Sequence, residues 1–176
     1  MKNITDQIEL NRQGKGLGIP KHEILTLYDF IKANNIKRVI ETGVCHGVSS
    51  AYILAALPAD GLLISIEPDT GLTIGEVIPD ELRNKWRLIP GKSQDVLLDV
   101  FNTNPCIDLF LHDSDHHATT QQFEFGTALP FVKYIASHDI SLFDSGIAWK
   151  GLKIIPGVKL IIENGQLGIC DVRGAK

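Results

Sequence analysis

The chain has 176 residues, 44% hydrophobic and 22% charged, a balance that supports one packed domain and excludes a disordered or fibrous chain. A formal net charge of -4 without any Lys/Arg-rich run excludes the electrostatic footprint of nucleic-acid binding, so a small molecule is the expected partner. No run of about 18 apolar residues exists to span a membrane, the polar start has no apolar signal core, and Cys45, Cys106 and Cys170 are too scattered for zinc or a disulfide framework; the expected setting is a reducing cytoplasm.

Along the chain, residues 1–20 read as an N-terminal extension expected to be flexible. Over residues 21–34, Ile24, Leu27, Tyr28 and Ile31 recur at helical spacing, with Pro20 near the first turn, which predicts an amphipathic helix. Residues 38–42 (RVIET) are a strand ending at a glycine, and residues 49–57 are an alanine- and leucine-rich helix stopped by Pro58. The alternation continues with a strand at 62–66, a weak helix at 74–85, a short strand at 87–89 and a helix at 93–102. A strand at 107–112, a helix at 119–133 interrupted by Pro130 and a strand at 134–138 follow. Residues 144–157 fit either a loop or a short helix. Runs at 159–162 and 167–172 flank Asn164-Gly165, a strong hairpin turn signal. The pattern predicts a single α/β domain over 1–176: a doubly wound, mostly parallel seven-stranded sheet covered on both faces and closed by a C-terminal antiparallel hairpin.

Open α/β sheets bind ligands beyond the carboxyl ends of their strands. After the first strand, the glycines of the segment from Glu41 to Ser49 let backbone approach a ligand, and the following helix start offers free N–H groups to an anion or carboxylate. The same loop also reads as a plain strand-to-helix turn with Ser49 as N-cap. The second strand ends at Glu67-Pro68-Asp69, where a carboxylate accepts hydrogen bonds from vicinal ribose hydroxyls; alone, Glu67 would be a solvated acid. The fourth strand ends in His112-Asp113-Ser114-Asp115-His116-His117 and the fifth in Ser137-His138-Asp139. Ionisable groups so close to a core need a ligand, a metal or a partner. His112 points to the opposite face and reads as a hydrogen-bonded core histidine, His117 as a helix N-terminal residue, and His22 as surface. His46 either touches the ligand or faces solvent, and Trp149 and Phe143 are either an acceptor-pocket wall or core.

Glu-x-Gly-x-x-x-Gly-x-Ser followed by a strand-end acid resembles class I S-adenosylmethionine-dependent methyltransferases of the catechol and caffeoyl-CoA type. It is also similar to macrolide-sugar and cephalosporin-hydroxylase-like methyltransferases. Cys45, in place of the middle glycine of the commoner Gly-x-Gly-x-Gly form, matches the catechol-like branch. The resemblance covers residues 38–139 and implies a Rossmann-like sheet. It implies that Glu41 and the backbone of Gly43 and Gly47 hold the methionine part of the cofactor, Ser49 its carboxylate and Glu67 the ribose. Ser93 and Gln94 would then lie beside the adenine, with Thr42, Pro68 and Asp113 also in contact. It further implies Asp113, His138 and Asp139 as ligands of a divalent metal (Mg²⁺, Mn²⁺ or Zn²⁺) and His116 as general base. His138 stands where those families carry an acid, and its nitrogen favours a softer ion than Mg²⁺. Asp144 or Asp115 are alternative carboxylates.

The expected function is methyl transfer from S-adenosylmethionine to a hydroxyl of a small-molecule acceptor, with a homodimer as the expected assembly where a second subunit completes the pocket. An NAD-dependent oxidoreductase would need Gly-x-Gly-x-x-Gly, and the glycines here are spaced Gly-x-x-x-Gly. A phosphohydrolase of the HD type would be all-helical. A non-catalytic S-adenosylmethionine-binding protein is the remaining alternative.

Overall fold

The computed structural model describes residues 3–13, 18–69, 71, 73–142 and 144–175. Seven strands, β1 (Arg38–Thr42), β2 (Leu62–Glu67), β3 (Trp86–Pro90), β4 (Leu109–His112), β5 (Tyr134–Ser137), β6 (Lys159–Asn164) and β7 (Leu167–Asp171), form one sheet in the order β3-β2-β1-β4-β5-β7-β6. β1 pairs in parallel with β2 on one side, Thr42 opposite Ile66, and with β4 on the other, Thr42 opposite His112. The chain winds outward from β1 to β3 and then returns to β4, so the winding reverses between β1 and β4. That reversal opens a crevice beyond their carboxyl ends.

Successive strand residues point to opposite faces, and the apolar runs feed two separate cores. Val39, Leu63 and Leu111 pack beneath α1 (Ile4–Arg12), α2 (Lys21–Ala33) and α3 (Val48–Ala56), with Leu27, Tyr52 and Ile53 at the centre. Ile40, Ile64 and Phe110 pack against α4 (Ser93–Thr103), α5 (Ala118–Ala128) and α6 (Ser145–Lys153) through Phe101, Phe125 and Trp149. Trp149 is therefore core, its indole N–H donating to Glu163 at 2.7 Å, while Phe143 lies outside the described residues. The expected hairpin forms, with β7 antiparallel to β5 and β6 at the open edge.

Three expectations are corrected. The N-terminal stretch is not a free extension where it is described: Asn3 caps α1, Ile8 is fully buried, and the Tyr52 hydroxyl donates to Glu9 at 2.7 Å. Residues 74–85 are not one helix. Gly75 at φ +66 and Pro79 divide them into a turn and a 3-10 segment, Asp80–Lys85. The helix expected over 119–133 is α5, which ends at Ala128, ahead of Pro130; residues 144–157, open between a loop and a short helix, hold the short helix α6. Among the described residues no helix is long and apolar enough to cross a membrane.

Candidate active site

The loop after β1 is shaped by what lies against it. Gly43 takes φ +84, and a Cβ there would overlap the carbonyl oxygen of Asp113, which leaves β4 alongside. Gly47, also at φ +84, caps α3, and a Cβ would lie 2.7 Å from the Cα of Gly75. Ser49 follows in the first turn of α3, where helix geometry leaves amide groups without intrahelical partners.

Glu67, expected at the ribose, has a structural task in the loop itself. Its Oε2 accepts from the amides of Val44 at 2.8 Å and Cys45 at 3.2 Å, and its Oε1 from Asp69 at 3.0 Å. The acid after β2 thus clamps the loop after β1. A carboxylate offers about four lone-pair sites, so capacity remains for a hydroxyl.

Glu41 is fully buried and is not among the residues that line the cleft. Its Oε1 accepts from Ser50 and, at 2.6 Å, from Ser65, while Oε2 has no partner among the described residues. Burial pushes its pKa up to about 7 against the opposing pull of those hydroxyls. The expected contact with the ligand is replaced by support from beneath the loop. This acid stabilises the fold fully only below its ordinary pKa of 4.5, and the contribution is lost as pH rises to about 7. The loss amounts to about 3 kcal/mol. Glu41→Gln keeps the acceptor and removes the charge, so its melting temperature should fall less than that of the wild type between about pH 5 and pH 8, as read by thermal melts.

His112 is the core histidine expected. Its Nδ1 meets Glu124 Oε2 at 2.6 Å, and the same oxygen accepts from Thr42 Oγ1 at 2.6 Å, tying β1, β4 and α5 together. Burial would raise the Glu124 pKa, but the His112 hydrogen bond and charge hold it below its ordinary value.

The two strand ends after β4 and β5 meet as expected. His138 Nδ1 lies 3.3 Å from Asp113 Oδ1 and 3.3 Å from Asp139 Oδ2, and His116 Nε2 lies 3.3 Å from Asp139 Oδ2. Burial alone would lower the His138 pKa, yet the two carboxylates raise it to about 10. Burial is the largest single influence on the Asp139 pKa and pushes it up, but the His138 hydrogen bond and the charges of His138, His116 and His112 together bring it below its ordinary value. The buried Nδ1 of His116 has no partner among the described residues, an uncommon state that a ligand group would relieve.

One donor atom each from Asp113, His138 and Asp139 lies within 4.8 Å of the others. The set suits a divalent ion: the two spacings from His138 Nδ1, 3.3 Å to each carboxylate, match the separation of about 3.3 Å that bonds of about 2.0–2.1 Å give neighbouring donors in a tetrahedron. Asp115 and Asp144 do not join it. Asp115 accepts from His117 and Thr120, and Asp144 sits at the start of α6.

A cleft of about 1000 Å³ unites these groups. Its lining includes Thr42, Gly43, Ser49, Glu67, Pro68, Ser93 and Gln94 together with Asp113, His116, His138 and Asp139. Gly47 does not line it; it acts by starting α3. His46 lines the cleft with its Nδ1 2.6 Å from Glu76. A second cavity, of about 500 Å³, lies against Asp115, His116, His117 and Asp144.

Sequence reasoning missed Glu23, buried on α2, whose Oε2 lies 2.9 Å from His138 Nε2. The available signal was an acid on the apolar stripe that carries Leu27 and Phe30. Ile19 and Gln166, which also line the cleft, carried no signal.

Among solved structures, an O-methyltransferase from Bacillus cereus in complex with SAH is similar at a TM-score of 0.74 and 12% identity, covering 98% of this chain and 91% of that one. The O-methyltransferase TomG from Streptomyces achromogenes, involved in tomaymycin synthesis and solved with SAM, is similar at 0.74 and 16% identity, covering 99% and 91%. Cofactor-bound Rv0187 from MTB is similar at 0.72 and 16% identity, covering 97% and 88%. At such identities the likeness is one of fold. No curated protein matches the sequence significantly. Residues 40–140, more than half of the chain, match the family described as methyltransferase domain. That span holds the glycine loop, the clamping acid and both strand ends of the crevice, and the chain belongs to the methyltransferase-domain family.

Proposed function

We propose that the chain transfers a methyl group from S-adenosylmethionine to a hydroxyl of a small-molecule acceptor, assisted by a divalent ion at Asp113, His138 and Asp139. The observation that carries this reading is the single cleft joining the Gly43 loop to the His116 and Asp139 pair. Family membership and the SAH- and SAM-bound neighbours support the choice of cofactor.

When bound, the cofactor supplies an electrophilic methyl on a sulfonium, and a divalent ion lowers the pKa of a hydroxyl beside it. The start of α3 and Ser49 receive the carboxylate of the methionine part. Glu67 holds the loop in shape and accepts from the ribose. Asp139 orients the His116 imidazole, the group that takes the acceptor proton. As His116 takes that proton, the oxygen–carbon bond forms and the carbon–sulfur bond breaks, its electron pair leaving with sulfur. The cavity at Asp115, His117 and Asp144 opens beside His116, on the side where an acceptor would enter.

Titration calorimetry should show binding of S-adenosylmethionine and none of NAD; the reverse result would overturn the reading. Methyl transfer to a panel of hydroxylated acceptors, lost on chelation and restored by metal, tests the assisting ion. Transfer indifferent to Mg²⁺, Mn²⁺ and Zn²⁺ alike removes the metal from the proposal.

A further inference from the structure

We infer that Glu23 is the positioning carboxylate that aims His138 as a nitrogen ligand, making the Asp113, His138 and Asp139 cluster a four-coordinate site for an ion of the zinc or cobalt class in preference to magnesium. The inference rests on the metal reading proposed above and adds a residue and an ion class to it.

The imidazole of His138 is held from both sides. Its Nε2 lies 2.9 Å from Glu23 Oε2, so when a metal ion displaces the Nδ1 proton, Nε2–H keeps donating to that carboxylate and the lone pair falls to Nδ1. Nδ1 is the atom 3.3 Å from both Asp113 and Asp139. A histidine bound through one nitrogen and tied to a carboxylate through the other is the usual way a protein fixes a ligand's tautomer and raises its basicity.

Glu23 is fixed in turn. Only 3% of it is exposed, and its Oε1 accepts from the backbone amide of Gln166 at 3.0 Å. The hairpin turn is cut to fit it: Gly165 sits at φ +62, and a Cβ there would overlap Glu23 Oε1. The turn between β6 and β7 therefore closes around an acid from α2, and that acid closes on His138.

The donor set decides the ion class. Imidazole suits zinc, iron and cobalt, whereas magnesium demands near-octahedral oxygen ligation. Two carboxylates and one imidazole leave a fourth position open, the arrangement of catalytic rather than structural zinc.

The test uses the full chain with Zn²⁺, Co²⁺ or Mg²⁺ alone, read by competition with a chromophoric chelator and by the visible spectrum of the Co²⁺ form. The wild type should bind Zn²⁺ more tightly than Mg²⁺ and give the strong visible bands of four-coordinate Co²⁺. Glu23→Gln, which keeps the shape and the contact to Gln166, should weaken Zn²⁺ binding about 10- to 100-fold. Gly165→Ala, which displaces Glu23 without removing any ligand, should weaken it in the same direction and covers the case in which Glu23→Gln folds poorly. Unchanged Zn²⁺ affinity in a folded Glu23→Gln overturns the role of Glu23 while leaving the metal reading intact. A wild type that binds neither Zn²⁺ nor Co²⁺ overturns both, even where calorimetry still shows S-adenosylmethionine binding. A weak, octahedral-type Co²⁺ spectrum overturns the ion class.

Discussion

Alanine at Gly43 is expected to abolish binding of S-adenosylmethionine and to destabilise the fold. The position combines two costs. A φ of +84 strains any residue with a Cβ, by about 1–3 kcal/mol. The added carbon also overlaps the Asp113 carbonyl, which belongs to backbone and cannot swing aside as a side chain would. Asp113 is held to the loop by its own amide, which donates to the Thr42 carbonyl at 3.0 Å, so relief of the clash pulls the loop and the strand end apart. Overpacking of this kind costs about 1–3 kcal/mol more. Denaturant unfolding would read a total loss of about 2–6 kcal/mol, and calorimetry the loss of binding. Gly126, which has nothing within 4 Å of a built Cβ and lies within α5, is the matched control. Gly126→Ala should bind normally and gain up to about 1 kcal/mol in stability from helix propensity. A Gly43→Ala protein as stable and as competent as this control would show that the loop does not need the close approach.

His116→Ala should lower kcat about 10²- to 10⁴-fold, the range that a positioned general base contributes. Binding of S-adenosylmethionine should stay within a few-fold of the wild type, because His116 pairs with Asp139 and takes no part in the Glu67 contacts that hold the Gly43 loop. The separation between binding and turnover is the informative part. A fall in both would mean that the residue shapes the cleft, whereas unchanged transfer would remove it from proton transfer altogether. The residue is more than a third exposed and packs into neither core, so its loss should cost the fold little.

The parallel sheet could be read from sequence because residues such as Ile40, Ile64 and Phe110 leave no polar alternation: strands covered on both faces must be apolar throughout. The site loops were legible for a related reason, since a doubly wound sheet has one place where its winding reverses, and polar residues at β1 and β4 could only gather there. What escaped was set by tertiary contact. α1 is nine residues long and earns its stability from burial of Ile8 against the rest of the fold, a signal too short to count as periodic. The spacing over 74–85 looked helical, but Gly75 bonds back to Cys45 and bends the chain beneath the loop. The motif directs Glu41 to the ligand, but the hydroxyls of Ser50 and Ser65 claim it instead. Glu23 is separated from His138 by 115 residues, and nothing in either neighbourhood names the other.

The contact between Glu23 and the Gln166 amide has a consequence for the newly made protein. Its partners are 143 residues apart in sequence, so it cannot form until residue 166 has left the ribosome. A nascent chain that has already released β1 through β5 holds the glycine loop and the clamping acid but lacks Leu167 and Ile169, which are buried in the core shared with α2 and α3. Its His138 is still without the support that the turn at Gly165 gives to Glu23. The support of His138 is therefore among the last contacts of the fold that synthesis makes possible.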